Sequence, residues 1–136
     1  MVSMAKIPKP SSIVPTPAEF RLLEVLWRLK EGTIEEVLVA WGENPPNYKT
    51  TQTLLRIMEN KKLISHRMRG RAFVFQPRVE REQVNRLSIN SFLDRYFRGS
   101  RTELLLNLLD DEEIDERELQ ELEETIRRHR ESRQPK

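Results

Sequence analysis

Lys49, Gln52, Thr53 and Arg56 recur at spacings that put them on one side of a helix, with Asn60 following on the same side. Cations, amides and hydroxyls of this kind donate to phosphates and to base edges in a major groove, which is wide enough to admit a helix. No carboxylate interrupts the first two turns of that side. The opposite side holds Leu54, Leu55 and Met58, extended by Thr51, a stripe that would face a core. Asn47 stands where an N-cap belongs, so free backbone N–H groups and the positive end of the helix dipole would meet an approaching anion. Residues 47–62 therefore offer the chemistry of duplex recognition. An ordinary amphipathic surface helix would look the same in isolation, so the flanking elements must decide.

The elements needed to position such a helix precede it. Thr16-Pro17-Ala18-Glu19 is a helix start, with a capping threonine, proline at the first helical position and glutamate at the third. Phe20, Leu22, Leu23, Leu26, Trp27 and Leu29 give that helix an apolar face, and Gly32 is expected to end it. Thr33-Ile34-Glu35-Glu36 repeats the capping pattern before a second short helix lined by Ile34, Val37, Leu38 and Trp41. A loop over residues 42–46 delivers the third helix, and the three make a helix-turn-helix core. Trp27 and Trp41 fall on apolar stripes and read as core rather than as base-stacking platforms.

After Lys62 the period changes to two. Residues 63–68 and 72–76 are short strands around Arg69-Gly70-Arg71, where glycine permits the reversal and two arginines flank the tip. A hairpin with arginines on both sides of its tip is suited to phosphate or minor-groove contact: a wing. A lone His66 without a second ligand reads as structural, and no metal or other cofactor is expected.

Pro77 separates the wing from a helical region. Val84, Leu87, Ser88, Ser91, Phe92 and Tyr96 trace one stripe, which Ile89, Leu93 and Phe97 widen. Ser100-Arg101-Thr102-Glu103 caps the next helix, rich in leucine, and Asp115 opens a last one with a narrow seam of Leu119, Leu122 and Ile126. Helices apolar on more than one side need another surface. A second copy of the chain supplies one, and a twofold pair would space two recognition helices about 34 Å apart on a duplex. Folding back onto the first three helices is the alternative, and it would set an acidic region in competition with DNA.

Composition is consistent with this division. The chain has 136 residues, 37% of them hydrophobic, enough for a modest core and not for a deep enzyme cleft. Its net charge of +2 conceals an asymmetry. Residues 44–78 carry eight bases against the single acid Glu59, whereas residues 100–136 carry 7 bases and 12 acids. There is no cysteine, which excludes disulfides and thiolate sites. No apolar run reaches the roughly 18 residues of a membrane span, so no membrane insertion and a cytoplasmic location are expected. Glycine-rich phosphate loops and paired-histidine motifs are missing, so no enzyme is expected.

The expected fold is mainly α with a small β-hairpin. It comprises a flexible tail over residues 1–14, a winged helix-turn-helix domain over residues 15–78 and an α-helical dimerisation region over residues 79–136. The stretches Glu19-Phe20-Arg21-Leu22-Leu23-Glu24-Val25-Leu26-Trp27, Tyr48-Lys49-Thr50-Thr51-Gln52-Thr53-Leu54-Leu55-Arg56, Gly70-Arg71-Ala72-Phe73-Val74-Phe75 and Phe92-Leu93-Asp94-Arg95-Tyr96-Phe97-Arg98-Gly99-Ser100, in this order, resemble the penicillinase-repressor (BlaI/MecI-type) winged-helix regulators over roughly residues 17–128. The resemblance implies a homodimeric repressor on operator DNA. It gives the operator-contacting role to Tyr48, Lys49, Thr50, Gln52, Thr53 and Arg56, and backbone contacts to Arg69 and Arg71. Dimerisation falls to the helices from Val79 onward, through Leu87, Phe92, Tyr96 and Leu105 on the first two and Leu108, Leu119, Leu122 and Ile126 further on. Ile57 and Lys62 stand where the family usually has arginine and glycine. Antibiotic-responsive members are released by a membrane-linked protease pathway that cuts an Asn-Phe bond; the matching pair here is Asn107-Leu108. The copper-responsive branch uses cysteines that this chain lacks. The competing readings are a winged-helix module that binds protein and an architectural DNA binder without sequence preference.

Overall fold

In a computed structural model, which describes residues 13–134, the first helix, α1 (Pro17–Leu29), begins at the expected cap. Thr16 Oγ1 accepts from the Glu19 backbone N–H while Glu19 Oε1 accepts from the Thr16 N–H. Thr33 and Glu36 repeat this reciprocal arrangement at the start of α2 (Ile34–Trp41). Each such cap is worth about 1 kcal/mol, because it satisfies backbone donors that the helix leaves open. The third helix, α3 (Tyr48–Asn60), runs into a hairpin of β1 (Ile64–Arg69) and β2 (Ala72–Pro77). Three further helices follow: α4 (Arg81–Phe97), α5 (Arg101–Leu109) and α6 (Glu116–Ser132).

One expected terminator has a different job. Helix α1 stops at Leu29, and the left-handed residue after it is Lys30 at φ 76. Gly32 instead exchanges two backbone hydrogen bonds with Phe75, at 2.9 and 2.8 Å, and so tacks the α1–α2 connection to the wing through a single-residue bridge. A side chain at Gly32 would meet Leu29 Cδ1 at 3.3 Å, so glycine serves close approach here rather than helix termination. The hairpin is antiparallel, with Arg69 opposite Ala72. Gly70, at φ 63, fills the first of the two loop positions, where a type II′ turn calls for glycine.

The described residues form two compact units, and the division falls between Phe92 and Leu93, inside α4. In the first, Leu22, Leu23 and Leu26 of α1, Val37 of α2, Leu55 and Met58 of α3 and Leu63 and Ile64 at the wing's base form one buried cluster. Val84 belongs to the same cluster, so the first half of α4 packs with the winged helix. Trp27 and Trp41 pack against its edge, as their stripes require. Trp27 Nε1 donates to the Val79 carbonyl at 2.8 Å, and the Arg81 guanidinium lies 4.9 Å from the Trp27 ring, which together fix the link from β2 to α4. The second unit contains the end of α4, all of α5 and α6. Neither α5 nor α6 buries a single residue, although Leu93 on α4 is buried. The tail expected over residues 1–14 lies outside the described residues as far as residue 12. Ile13 and Val14 are half-buried, with the Val14 carbonyl accepting from Lys61 Nζ at 3.5 Å.

Candidate nucleic-acid interface

Asn47 Oδ1 accepts from the Thr50 N–H at 2.7 Å, and the buried Thr51 hydroxyl donates to the Asn47 carbonyl at 2.9 Å. These bonds set the first turn of α3. With Thr51, Leu55 and Met58 buried on one side, Tyr48, Lys49, Thr50, Gln52, Thr53 and Arg56 are all exposed. The first turn contains no acid, so the helix dipole and the cations act on an anion with one sign. Arg69 and Arg71 are exposed at the wing. A cleft of about 640 Å³ separates the wing from α3 and the start of α2; Gln52 and Arg56 line it on the helix side, Arg69 and Arg71 on the wing side. Tyr48, Gln52 and Arg56 thus share one concave surface with Arg69 and Arg71, whereas Lys49, Thr50 and Thr53 are exposed outside its lining.

The basic block is weaker than its composition implies. Lys61 is spent on the interior: its Nζ lies 2.7 Å from Oε1 of Glu19, whose side chain is 3% exposed. Arg67 pairs with Glu31 at 2.6 Å, and Arg69 with Glu36 at 3.5 Å. Lys49, Arg56, Lys62, Arg71 and Arg78 make no ion pair among the described residues. Glu36 works twice, as capping residue and as partner of Arg69. Its carboxyl is held below the usual carboxylate range, chiefly by the hydrogen bond from the Thr33 backbone, against a desolvation that acts the other way, with Arg69 adding attraction. Glu19 and Glu36 were legible as caps; their second partners, 42 and 33 residues away, were not.

His66 has a structural setting. Its Nδ1 lies 2.7 Å from Glu59 Oε2, and its ring stacks on Phe73 with centroids 4.2 Å apart. The contact joins β1 to the last turn of α3. Among the described residues, no three His, Asp or Glu side chains are grouped to hold a metal.

The residues assigned to self-association differ in exposure. Phe92, Tyr96, Leu105, Leu108 and Ile126 are exposed, Tyr96 by 63%, and Leu87, Leu119 and Leu122 are half-buried. Asn107 and Leu108 lie inside α5, both exposed, and Asn107 Nδ2 donates to the Glu103 carbonyl at 2.9 Å. Among the described residues no helix is long and apolar enough to cross a membrane.

Comparison with known proteins follows the same outline. The penicillinase repressor of Bacillus licheniformis is 27% identical over 128 residues, spanning 93% of this chain and 96% of its own length. The methicillin resistance regulatory protein MecI of Staphylococcus aureus is 24% identical over 109 residues, 77% of this chain and 86% of that protein. The solution structure of the DNA-binding domain of the repressor BlaI aligns with 49% of this chain and 83% of its own, at 26% identity and a TM-score of 0.45. The model of the penicillinase repressor family matches residues 15–128, which takes in the three-helix core, the wing and nearly all of the helical second half. The chain belongs to the penicillinase repressor family, a family of repressors rather than of enzymes.

Proposed function

We propose that the chain is a cytoplasmic, sequence-specific DNA-binding transcriptional repressor that acts as a homodimer on a pseudo-palindromic operator. Helix α3 enters the major groove, with Tyr48, Lys49, Thr50, Gln52, Thr53 and Arg56 toward the bases and flanking phosphates. Arg69 and Arg71 grip the backbone alongside. The observation that carries this reading is the exposed outer face of α3, free of acids over its first two turns, opening onto the same cleft as the wing arginines. Membership in a family of repressors supports it. The exposed apolar side chains of the second half support pairing of two copies, because a surface of that kind is covered most simply by itself. Release through a membrane-linked protease pathway cutting Asn107-Leu108 belongs to the same proposal.

Selecting bound duplexes from a random pool tests it. The expected product is a two-part, inverted-repeat site with half-site centres about one helical turn apart. Recovery of duplexes with no common sequence would leave an architectural DNA binder. A second reading, a module that binds protein, is favoured by Tyr48, Ile57 and Phe73, which are 48%, 40% and 47% exposed on or beside the same face. Absence of any gel shift on duplex at low salt would favour that reading.

A further inference from the structure

The cleft between α3 and the wing contains more than a phosphate grip requires. Backbone phosphates are held by cations and N–H donors. Here the rings of Tyr48 and Phe73, each about half exposed, line the cleft beside Ile34 and Phe75. His66 stacks on Phe73 and holds that ring in place. At about 640 Å³ the space falls within the ~300–1,000 Å³ usual for small-molecule sites, and its lining combines an aromatic and aliphatic wall with convergent charged groups. The polar groups are specific. Arg56 and Arg71 reach the cleft from opposite walls, and neither has an ion-pair partner among the described residues. A guanidinium presents a planar fork that matches a carboxylate. Glu35 and Glu59 also line the cleft, as does Arg69, so three arginines and two glutamates leave the lining one net positive charge, which a singly charged ligand neutralises.

We propose that this cleft binds a small aromatic monocarboxylate, its ring against Tyr48 and Phe73 and its carboxylate between Arg56 and Arg71, and that occupancy excludes DNA. The bound anion occupies two cations assigned to the duplex and fills the space between the helix and the wing. The exclusion half of the proposal rests on the DNA-binding reading; the binding half does not.

Titration calorimetry on the full chain with 2-naphthoate separates the two. The expected result is one saturable site per chain, with the neutral 2-naphthamide and inorganic phosphate at least tenfold weaker. Arg71→Gln and Phe73→Ala should each weaken 2-naphthoate at least tenfold. Both side chains are exposed, and they act through different atoms, so the two variants check one another. Absence of saturable binding, equal binding of the amide, or indifference to both substitutions would overturn the site. In a gel shift with the same chain, saturating 2-naphthoate should lower duplex affinity at least tenfold. Unchanged affinity with 2-naphthoate bound would overturn the exclusion. A chain that binds 2-naphthoate and no duplex at all would instead contradict the DNA-binding reading and leave the site standing.

Discussion

At the scale of single residues, the backbone asks for glycine in places where the sequence supplies lysine or arginine. Lys30, Lys62 and Arg98 adopt φ values of 76, 69 and 50. For a residue with a Cβ, that conformation costs about 1–2 kcal/mol, offset in part by the larger chain entropy glycine would lose. Lys62→Gly should therefore raise stability by roughly 0.5–1 kcal/mol in a urea unfolding curve, and a loss would show that the Lys62 side chain holds something in place. The neighbouring Lys61 is the opposite case. Lys61→Met removes the partner of a buried carboxylate and should cost on the order of 2 kcal/mol, while leaving the salt dependence of DNA binding unchanged. Glu36 gives a pH prediction. A carboxyl whose value is depressed in the folded chain adds stability above the unfolded carboxylate range and loses it as pH falls through its own lowered value. An NMR titration should find Glu36 titrating below the other exposed glutamates, and an Arg69→Gln variant should move it upward only in part, because the Thr33 backbone bond is the larger cause. The first two features are not visible in the sequence by itself, whereas the capping bond that chiefly lowers Glu36 is. Caps are local, three residues apart, and were read correctly; the Glu19–Lys61 pair spans 42 residues, and the left-handed positions carry no glycine to announce them.

Among the elements, the proposed function assigns α3 and the wing different work, which substitution can expose. Arg56→Ala, if that guanidinium pairs with a guanine, should cost about 1–3 kcal/mol on the preferred duplex and relax one base position. Arg71→Ala should weaken all duplexes alike. Quantitative gel shifts against a panel of single-base variants distinguish the outcomes, and an equal change of sequence preference in both would sink this division of labour. Helix α3 was legible because its two faces differ so sharply in residue type that burial of Thr51, Leu55 and Met58 leaves only one arrangement for the rest. The wing was legible within a residue, since period-two alternation and Gly70 mark its strands and turn. The Gly32–Phe75 bridge was not, because a single pair of backbone bonds leaves no periodic trace. Helix α5 constrains the proposed release: a protease needs an extended substrate, so a cut at Asn107-Leu108 would require that turn of the helix to open first.

For the whole molecule, charge and apolar exposure are distributed so that each half answers a different demand. The first unit has a buried core and an open cationic face; the helices of the second expose Leu105, Leu106, Leu108 and Ile126. Sequence periodicity located those apolar side chains, and the proposed pairing of two copies would cover them. Sedimentation should give a dimer at micromolar concentration. Ile126→Glu, at a site 47% exposed in the single chain, should shift it toward monomer without unfolding it and lower operator affinity at least tenfold. The claim beneath all of this is that the surface of α3 and the wing is built for a polyanion. It is tested most directly by the affinity of the full chain for duplex DNA between 50 and 200 mM salt. Engagement of ~6–10 phosphates by a dimer predicts a fall of about 10³–10⁵-fold; an affinity that stays level across that range would contradict it.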